Sequence, residues 1–217
     1  NVSARISNTQ FVITPSGKTY ESLTRDDIVA VNIDDLEYSG NVKPSSEKGV
    51  HAKIYKARPD INFIIHTHQI YASVLGVSGD TYEIPESEYK TLAGPVVTAK
   101  YGLSSTGILS DAVRDAVLEN KNSNAVLMKH HGTVCMGKDY EETFKVSREL
   151  EDFCKSKVSA VDSRILEDTK ASNDLGSSER FGNIFVLTMK DGTSYTCGVE
   201  SGAGVTTLAP RVSKLHA

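Results

Sequence analysis

Ile64-Ile65-His66-Thr67-His68 is the stretch on which the reading of this chain turns. β-Branched residues pack well on a pleated, buried surface, so the apolar approach from Ile61 to His66 reads as a strand. Side chains at i and i+2 of a strand point to the same face. His66 and His68 can therefore aim their imidazoles at one point. Leu127-Met128-Lys129-His130-His131-Gly132 has the same form: the apolar residues Ala125 to Met128 lead into histidines, and a glycine follows. Four of the six histidines thus fall at the ends of two apolar runs, which favours a metal site over scattered histidines near a sheet. Three neutral imidazoles with an open fourth position describe a catalytic zinc site, since structural sites are closed by four protein ligands.

Composition sets the outer bounds. With 217 residues and 39% hydrophobic content, the chain fits a single domain with one good core. A net charge of −4 and a sequence pI near 5.9 leave no electrostatic footprint for nucleic acid or an anionic membrane. The uncharged apolar runs fall far short of a membrane span, and no signal-peptide pattern opens the chain. Cys135, Cys154 and Cys197 form an odd set without C-x-x-C spacing. Reduced thiols in a cytoplasmic protein are expected, rather than a disulfide framework or a cysteine-rich zinc site.

The elements alternate. Phe11 to Ile13 reads as a short strand followed by the turn Pro15-Ser16-Gly17, and Thr24 to Asp27 as a one-turn helix start with a capping-box pattern. Ile28 to Ile33 is a predicted strand. Ser45 or Ser46 can cap a helix running to about Ala57, with Val50, Ile54 and Ala57 on its apolar side and Pro59 beyond its end. Gln69 to Val77 is predicted helical, and a third helix starts at Ser110, with Val113, Ala116 and Val117 spaced for burial. Asp139 caps a fourth, Glu142 is placed to complete the box, and Val146, Leu150, Phe153 and Cys154 form its apolar stripe. Ile184 to Met189 and Thr193 to Cys197 flank Asp191-Gly192, a hairpin signal. One α/β sheet layered with helices is the fold class that results.

Two turns can hold an anion. Pro44-Ser45-Ser46-Glu47 offers two hydroxyls and free backbone N–H groups at a helix start, where the dipole also favours negative charge. Thr14-Pro15-Ser16-Gly17 offers further hydroxyls and a glycine that permits close backbone approach, and Asn1 adds an amide. Glu47 by itself could simply compensate the helix dipole. One turn on, His51 faces the same side, so the helix could present either residue to the metal as ligand or base. Spacing leaves that choice open.

These motifs, taken in order, carry a resemblance. Asn-Val-Ser, Ile-Thr-Pro-Ser-Gly, Pro-Ser-Ser-Glu, His51-x-x-Ile-Tyr-x-x-Arg-Pro-Asp, His66-Thr-His68 and His130-His131-Gly132 are similar to the motif series of the class II aldolase/adducin family, from Asn1 to about Val158. Within it, the chain resembles most the members that act on L-fuculose 1-phosphate. The resemblance implies a single-domain, three-layer fold over residues 1–217, with a mainly antiparallel central sheet flanked by helices, in a homotetramer. It implies one Zn2+ per subunit on His66, His68 and His131, with His130 the preceding non-ligand. Glu47 corresponds to the acidic residue that ligates zinc in the free enzyme and acts as the base, which makes His51 a supporting residue. Asn1, Ser16, Gly17, Ser45 and Ser46 correspond to phosphate-binding positions, and Tyr89 falls near a catalytic tyrosine.

The implied chemistry is retro-aldol cleavage of a ketose 1-phosphate to dihydroxyacetone phosphate and an aldehyde. Zinc would act as a Lewis acid stabilising the enediolate, Glu47 would move the proton at the adjacent carbon, and an acid would serve the aldehyde oxygen. Residues 180–217, with their predicted hairpin, do not resemble the family's usual C-terminus, where another functional tyrosine lies; Tyr195 could take its place. A sugar-phosphate 4-epimerase would share the histidines but typically has Asp after Ser-Ser, against Glu47 here. A sugar-acid-phosphate dehydratase or decarboxylase fits the same motifs. A non-enzymatic adducin-like binding head would be expected to lose metal histidines, and all three are present.

Overall fold

A computed structural model describes residues 1–85, 87–165, 181–202 and 205–215, with side chains over 1–85, 87–158 and 188–193. The first sheet contains β1 (Val2–Arg5), β2 (Gln10–Ile13), β3 (Val29–Asn32), β4 (Phe63–Thr67), β5 (Val97–Ala99), β6 (Ala125–Met128) and β7 (Gly132–Gly137). Their order is β3-β2-β1-β4-β7-β6-β5, and every neighbouring pair is antiparallel except β5 with β6. The helices are α1 (Lys48–Ala57), α2 (Ile70–Leu75), α3 (Gly107–Glu119) and α4 (Tyr140–Lys157). α1 packs with α3, and α2 with α4. The result is the expected α/β architecture, a mainly antiparallel sheet covered by helices on both faces.

Strand alternation divides the core in two. Val126 and Met128 of β6 and Val134 and Met136 of β7 join Val50, Ile54 and Val113 of α1 and α3. Ala125, Leu127 and Cys135 turn the other way, against Val146, Leu150, Phe153 and Cys154 of α4. β6 and β7 are buried at every position. A strand covered on both faces has no polar face to show, so it reads as a continuous apolar run.

Several boundaries differ from those expected. α1 is capped by Glu47 rather than by Ser45 or Ser46; Ser45 Oγ instead accepts from Glu47 N–H at 3.3 Å, closing a turn just before the helix. α3 begins at Gly107, ahead of Ser110, because Thr106 is its N-cap. At α4, Asp139 accepts from Glu142 N–H at 2.8 Å as its cap, while Glu142 Oε2 accepts from Lys138 N–H at 2.7 Å rather than from the cap residue. The capping pattern at Thr24 does form, with both Thr24 N–H and Thr24 Oγ1 donating to Asp27 Oδ2 at 2.9 Å.

β8 (Val158–Ile165), β9 (Phe181–Met189), β10 (Ser194–Gly202) and β11 (Val205–Leu215) form a second antiparallel sheet in the order β11-β10-β9-β8. β9 and β10 are the expected hairpin, turning through Asp191 and Gly192, whose φ of 86° suits glycine. Tyr195 lies on β10, with its side chain outside the described residues, as are Arg180 and residues 216–217. No helix among the described residues is long and apolar enough to cross a membrane. Cys135 and Cys154 are free, buried thiols.

Candidate active site

His66 shares its strand face with Ile64, the face covered by α1 and α3. β4 pairs with β7 so that His66 lies opposite Val134 and Thr67 opposite Thr133, which brings the β6–β7 turn alongside His68. That turn is closed by His131 N–H donating to Met128 O at 2.9 Å, with His130 at φ 58°. The three Nε2 atoms then converge: His66 and His68 are 3.2 Å apart, His68 and His131 3.3 Å, and His131 and His66 3.3 Å. The edge of a tetrahedron with metal–nitrogen bonds of about 2.0–2.1 Å is about 3.3–3.4 Å, so the triangle has the size a zinc ion requires.

Protonation favours the same use. His66 Nδ1–H donates to Thr133 O at 2.8 Å, which leaves Nε2 as a lone pair. Burial pushes the His66 pKa down to about 3 despite the attraction of the Glu47 charge, and burial lowers His68 as well. Gly132 is needed for space: a Cβ there would lie 2.5 Å from His68 Cδ2 and 2.5 Å from Thr67 O.

Glu47 reaches the cluster from the start of α1. Its Oε2 is 3.1 Å from His66 Nε2, and its Oε1 is 3.3 Å from His131 Nε2. Burial alone would raise its pKa. Hydrogen bonding with His131, the potential of His66 and His131, and the Ser104 hydroxyl outweigh burial and hold the carboxyl below the usual range. Oε2 is buried and has no hydrogen-bond partner. A carboxylate oxygen facing an imidazole lone pair at this distance is repulsive unless a positive charge lies between them. The orphaned oxygen, the converging nitrogens and the Gly132 cradle fit a divalent metal held by His66, His68 and His131, with Glu47 at the fourth corner.

The two hydroxyl-bearing turns meet beside this cluster. Pro15 and Pro44 form an antiparallel bridge, with Ser16 N–H donating to Lys43 O at 3.0 Å and Ser45 N–H to Thr14 O at 3.0 Å. Asn1, Thr14, Ser16, Gly17, Lys18 and Ser45 line a pocket of about 200 Å³ there. Gly17 adopts φ 76°, the left-handed region that glycine enters without cost. Ser46 is outside the pocket lining and accepts instead from Ser105 Oγ at 2.9 Å.

His51 is fully buried and both its nitrogens are engaged: Nδ1 pairs with Ser3 Oγ at 2.6 Å, and Nε2 with Asn1 Oδ1 at 2.5 Å. Ser3 Oγ also pairs with Tyr55 OH at 2.8 Å. If His51 Nε2 donates to Asn1 Oδ1, the Asn1 amide NH2 is left for the pocket. His51 thus has no nitrogen left for the metal cluster, and Glu47, the N-cap of α1, is the side chain that meets it. Tyr89 is partly buried and packs edge-on against Phe153, ring centroids 5.3 Å apart, at the border of the second core cluster.

Some participants were not identified from the sequence. Ser104 Oγ donates to Glu47 Oε1 at 2.7 Å, from a loop whose serines and threonine carry no distinguishing pattern. Thr133 contributes a backbone carbonyl, which any residue type supplies. Lys18 lines the pocket between the two turns while its ammonium bonds Asp27.

The family model for the Class II Aldolase and Adducin N-terminal domain matches residues 1–158. The chain belongs to the class II aldolase and adducin family. It is 35% identical over 144 residues to the 5-deoxy-D-ribulose 1-phosphate aldolase of Bacillus thuringiensis serovar kurstaki, covering 65% of each chain. It is 32% identical over 143 residues to the L-fuculose phosphate aldolase of Methanocaldococcus jannaschii, covering 66% of this chain and 75% of the relative. A solved L-fuculose 1-phosphate aldolase structure superposes with a TM-score of 0.65 at 28% identity, covering 71% of this chain and 72% of that one. The chain thus spans roughly two thirds to three quarters of the length of these class II aldolases, which are carbon–carbon lyases.

Proposed function

We propose that this chain is a zinc-dependent aldolase, one Zn2+ per subunit, that cleaves a ketose 1-phosphate of the L-fuculose 1-phosphate type to dihydroxyacetone phosphate and an aldehyde. The observation that carries the reading is the buried, unpartnered Glu47 Oε2 facing His66 Nε2 at 3.1 Å beside an anion pocket. Three imidazoles and a carboxylate at tetrahedral spacing favour zinc among divalent ions. The aldolase names of the relatives favour this outcome over epimerisation, dehydration or decarboxylation. In this reading residues 1–217 act as one aldolase domain, in a cytoplasmic homotetramer.

When bound, the metal supplies Lewis acidity to the substrate's carbonyl and neighbouring hydroxyl oxygens. Asn1, Ser16, Gly17 and Ser45 hold the phosphate in the pocket they line, with hydroxyls, N–H groups and the Asn1 amide as donors, while Ser46, outside that lining, is engaged by Ser105. In the cleavage direction the C4 hydroxyl gives its proton to the group that serves the aldehyde oxygen, the C3–C4 bond breaks, its electron pair moves to C3, and Glu47, having first taken up a proton from solvent, passes it to C3 and returns to the carboxylate. In synthesis Glu47 removes that proton. Tyr89, whose ring packs against Phe153, is the residue proposed to serve the aldehyde oxygen, as proton donor in synthesis and acceptor in cleavage.

Glu47→Gln tests the assignment, because it keeps the shape and removes the basic carboxylate. The expected result is a kcat lower by about 10²–10⁴-fold, with substrate still bound and with proton exchange of dihydroxyacetone phosphate in deuterated water lost in parallel. Exchange at the wild-type rate in that variant would show that Glu47 is not the base.

A further inference from the structure

Ser104-Ser105, on the loop ahead of α3, is set against Ser46-Glu47 at the start of α1. Ser104 Oγ donates to Glu47 Oε1 at 2.7 Å, and Ser105 Oγ donates to Ser46 Oγ at 2.9 Å. Ser105 holds φ 63°, a left-handed conformation uncommon outside glycine, in the turn that carries both hydroxyls. The two oxygens of Glu47 are consequently unlike. Oε1 is held by Ser104 and lies 3.3 Å from His131 Nε2, whereas Oε2 is buried with no hydrogen-bond partner and lies 3.1 Å from His66 Nε2.

We infer that Ser104 is a positioning residue for Glu47: its hydroxyl anchors Oε1, which also lies 3.3 Å from His131 Nε2, so that the carboxylate is held in one orientation with Oε2 turned to His66 and to the substrate carbon. The inference rests on the reading of Glu47 as the proton-transferring residue. A carboxylate torsion is broad and nearly two-fold, so an unanchored Glu47 would exchange its oxygens and sample several tilts. A serine hydroxyl has one proton to give, and here it goes to the oxygen that is not needed for proton transfer. A hydrogen bond to an ionised oxygen is among the strong ones, and groups that orient a metal-facing side chain in this way affect both metal affinity and turnover. Ser104 is half-buried and belongs to neither apolar cluster, so removing its hydroxyl leaves the core packing untouched.

The experiment compares wild type, Ser104→Ala, Ser104→Thr and Glu47→Gln as full-length chains. Zinc affinity is measured by competition with a chromogenic chelator, and kcat and KM are measured at saturating zinc on the best ketose 1-phosphate. Ser104→Ala is expected to weaken zinc binding by about 10–100-fold and to lower kcat by a similar factor with KM unchanged. Ser104→Thr, which restores the hydroxyl, is expected to recover both. Wild-type zinc affinity or wild-type kcat in Ser104→Ala, a change in KM in place of kcat, or equal losses in the alanine and threonine variants would each overturn the proposal. Should Glu47→Gln turn over like wild type, the reading of Glu47 fails; an inactive Glu47→Gln beside a fully active Ser104→Ala refutes the role of Ser104 alone.

Discussion

Gly132 shows how closely the residues of the site are fitted. It opens β7 beside the histidines, and a Cβ there would also lie 3.3 Å from His66 Cε1, in addition to its overlaps with His68 and Thr67 at 2.5 Å. Its φ is not positive, so the requirement for glycine is steric rather than conformational. Gly132→Ala should therefore displace the His68 ring, lower stability by about 1–3 kcal/mol, and reduce bound metal per chain well below one. Metal analysis together with thermal denaturation checks this; full metal content with unchanged stability would contradict it. At the same scale, the histidine cluster was legible in the sequence because imidazoles ending apolar runs have few other uses, whereas Glu47 was told apart from His51 only by the family resemblance, since a carboxylate at a helix start also serves the helix dipole. Ser104 was not legible. A serine in a polar loop has the same signature whether it holds a carboxylate or faces water. Nor could Thr133 be found, since its carbonyl is common to every residue type.

Among the elements, those with a clean period could be read in advance. The stripe of Val146, Leu150, Phe153 and Cys154 in α4 is buried throughout, at 0% exposure for each, and Asp139 caps the helix as expected. β4 and β6 were recognisable from their apolar runs. β1, β5 and β7 had no comparable signal. β1 and β5 are short, and β7 lies between two glycines with threonine and cysteine inside it, although the structure buries all of it. Helix starts were less legible still, because hydroxyl residues cluster ahead of both α1 and α3 and any of them can accept from a free N–H. The shift at α1 matters for function. With Ser45 closing the preceding turn, Glu47 takes the N-cap position without a side-chain cap bond, and its carboxylate is left to meet the histidines.

At the scale of the whole molecule, the family match ends at residue 158, where β8 begins the second sheet. The sequence of that region lacked the family's C-terminal pattern, and only its hairpin could be read, from Asp191-Gly192. The proposed homotetramer has a physical motive beside the site: Tyr101, Leu103 and Ile108, flanking Ser104 in the chain, are 40%, 58% and 67% exposed. Apolar side chains concentrated at the rim of a site favour burial against another subunit. Light scattering at assay concentration should give a tetramer mass, and a fully active monomer would contradict the assembly. The most direct test of the central claim is release of dihydroxyacetone phosphate from a panel of ketose 1-phosphates by the zinc-loaded protein, with a chelator-stripped sample alongside. Release should disappear on stripping and return with zinc. Turnover without dihydroxyacetone phosphate as a product, or release that persists in the stripped protein, would contradict it.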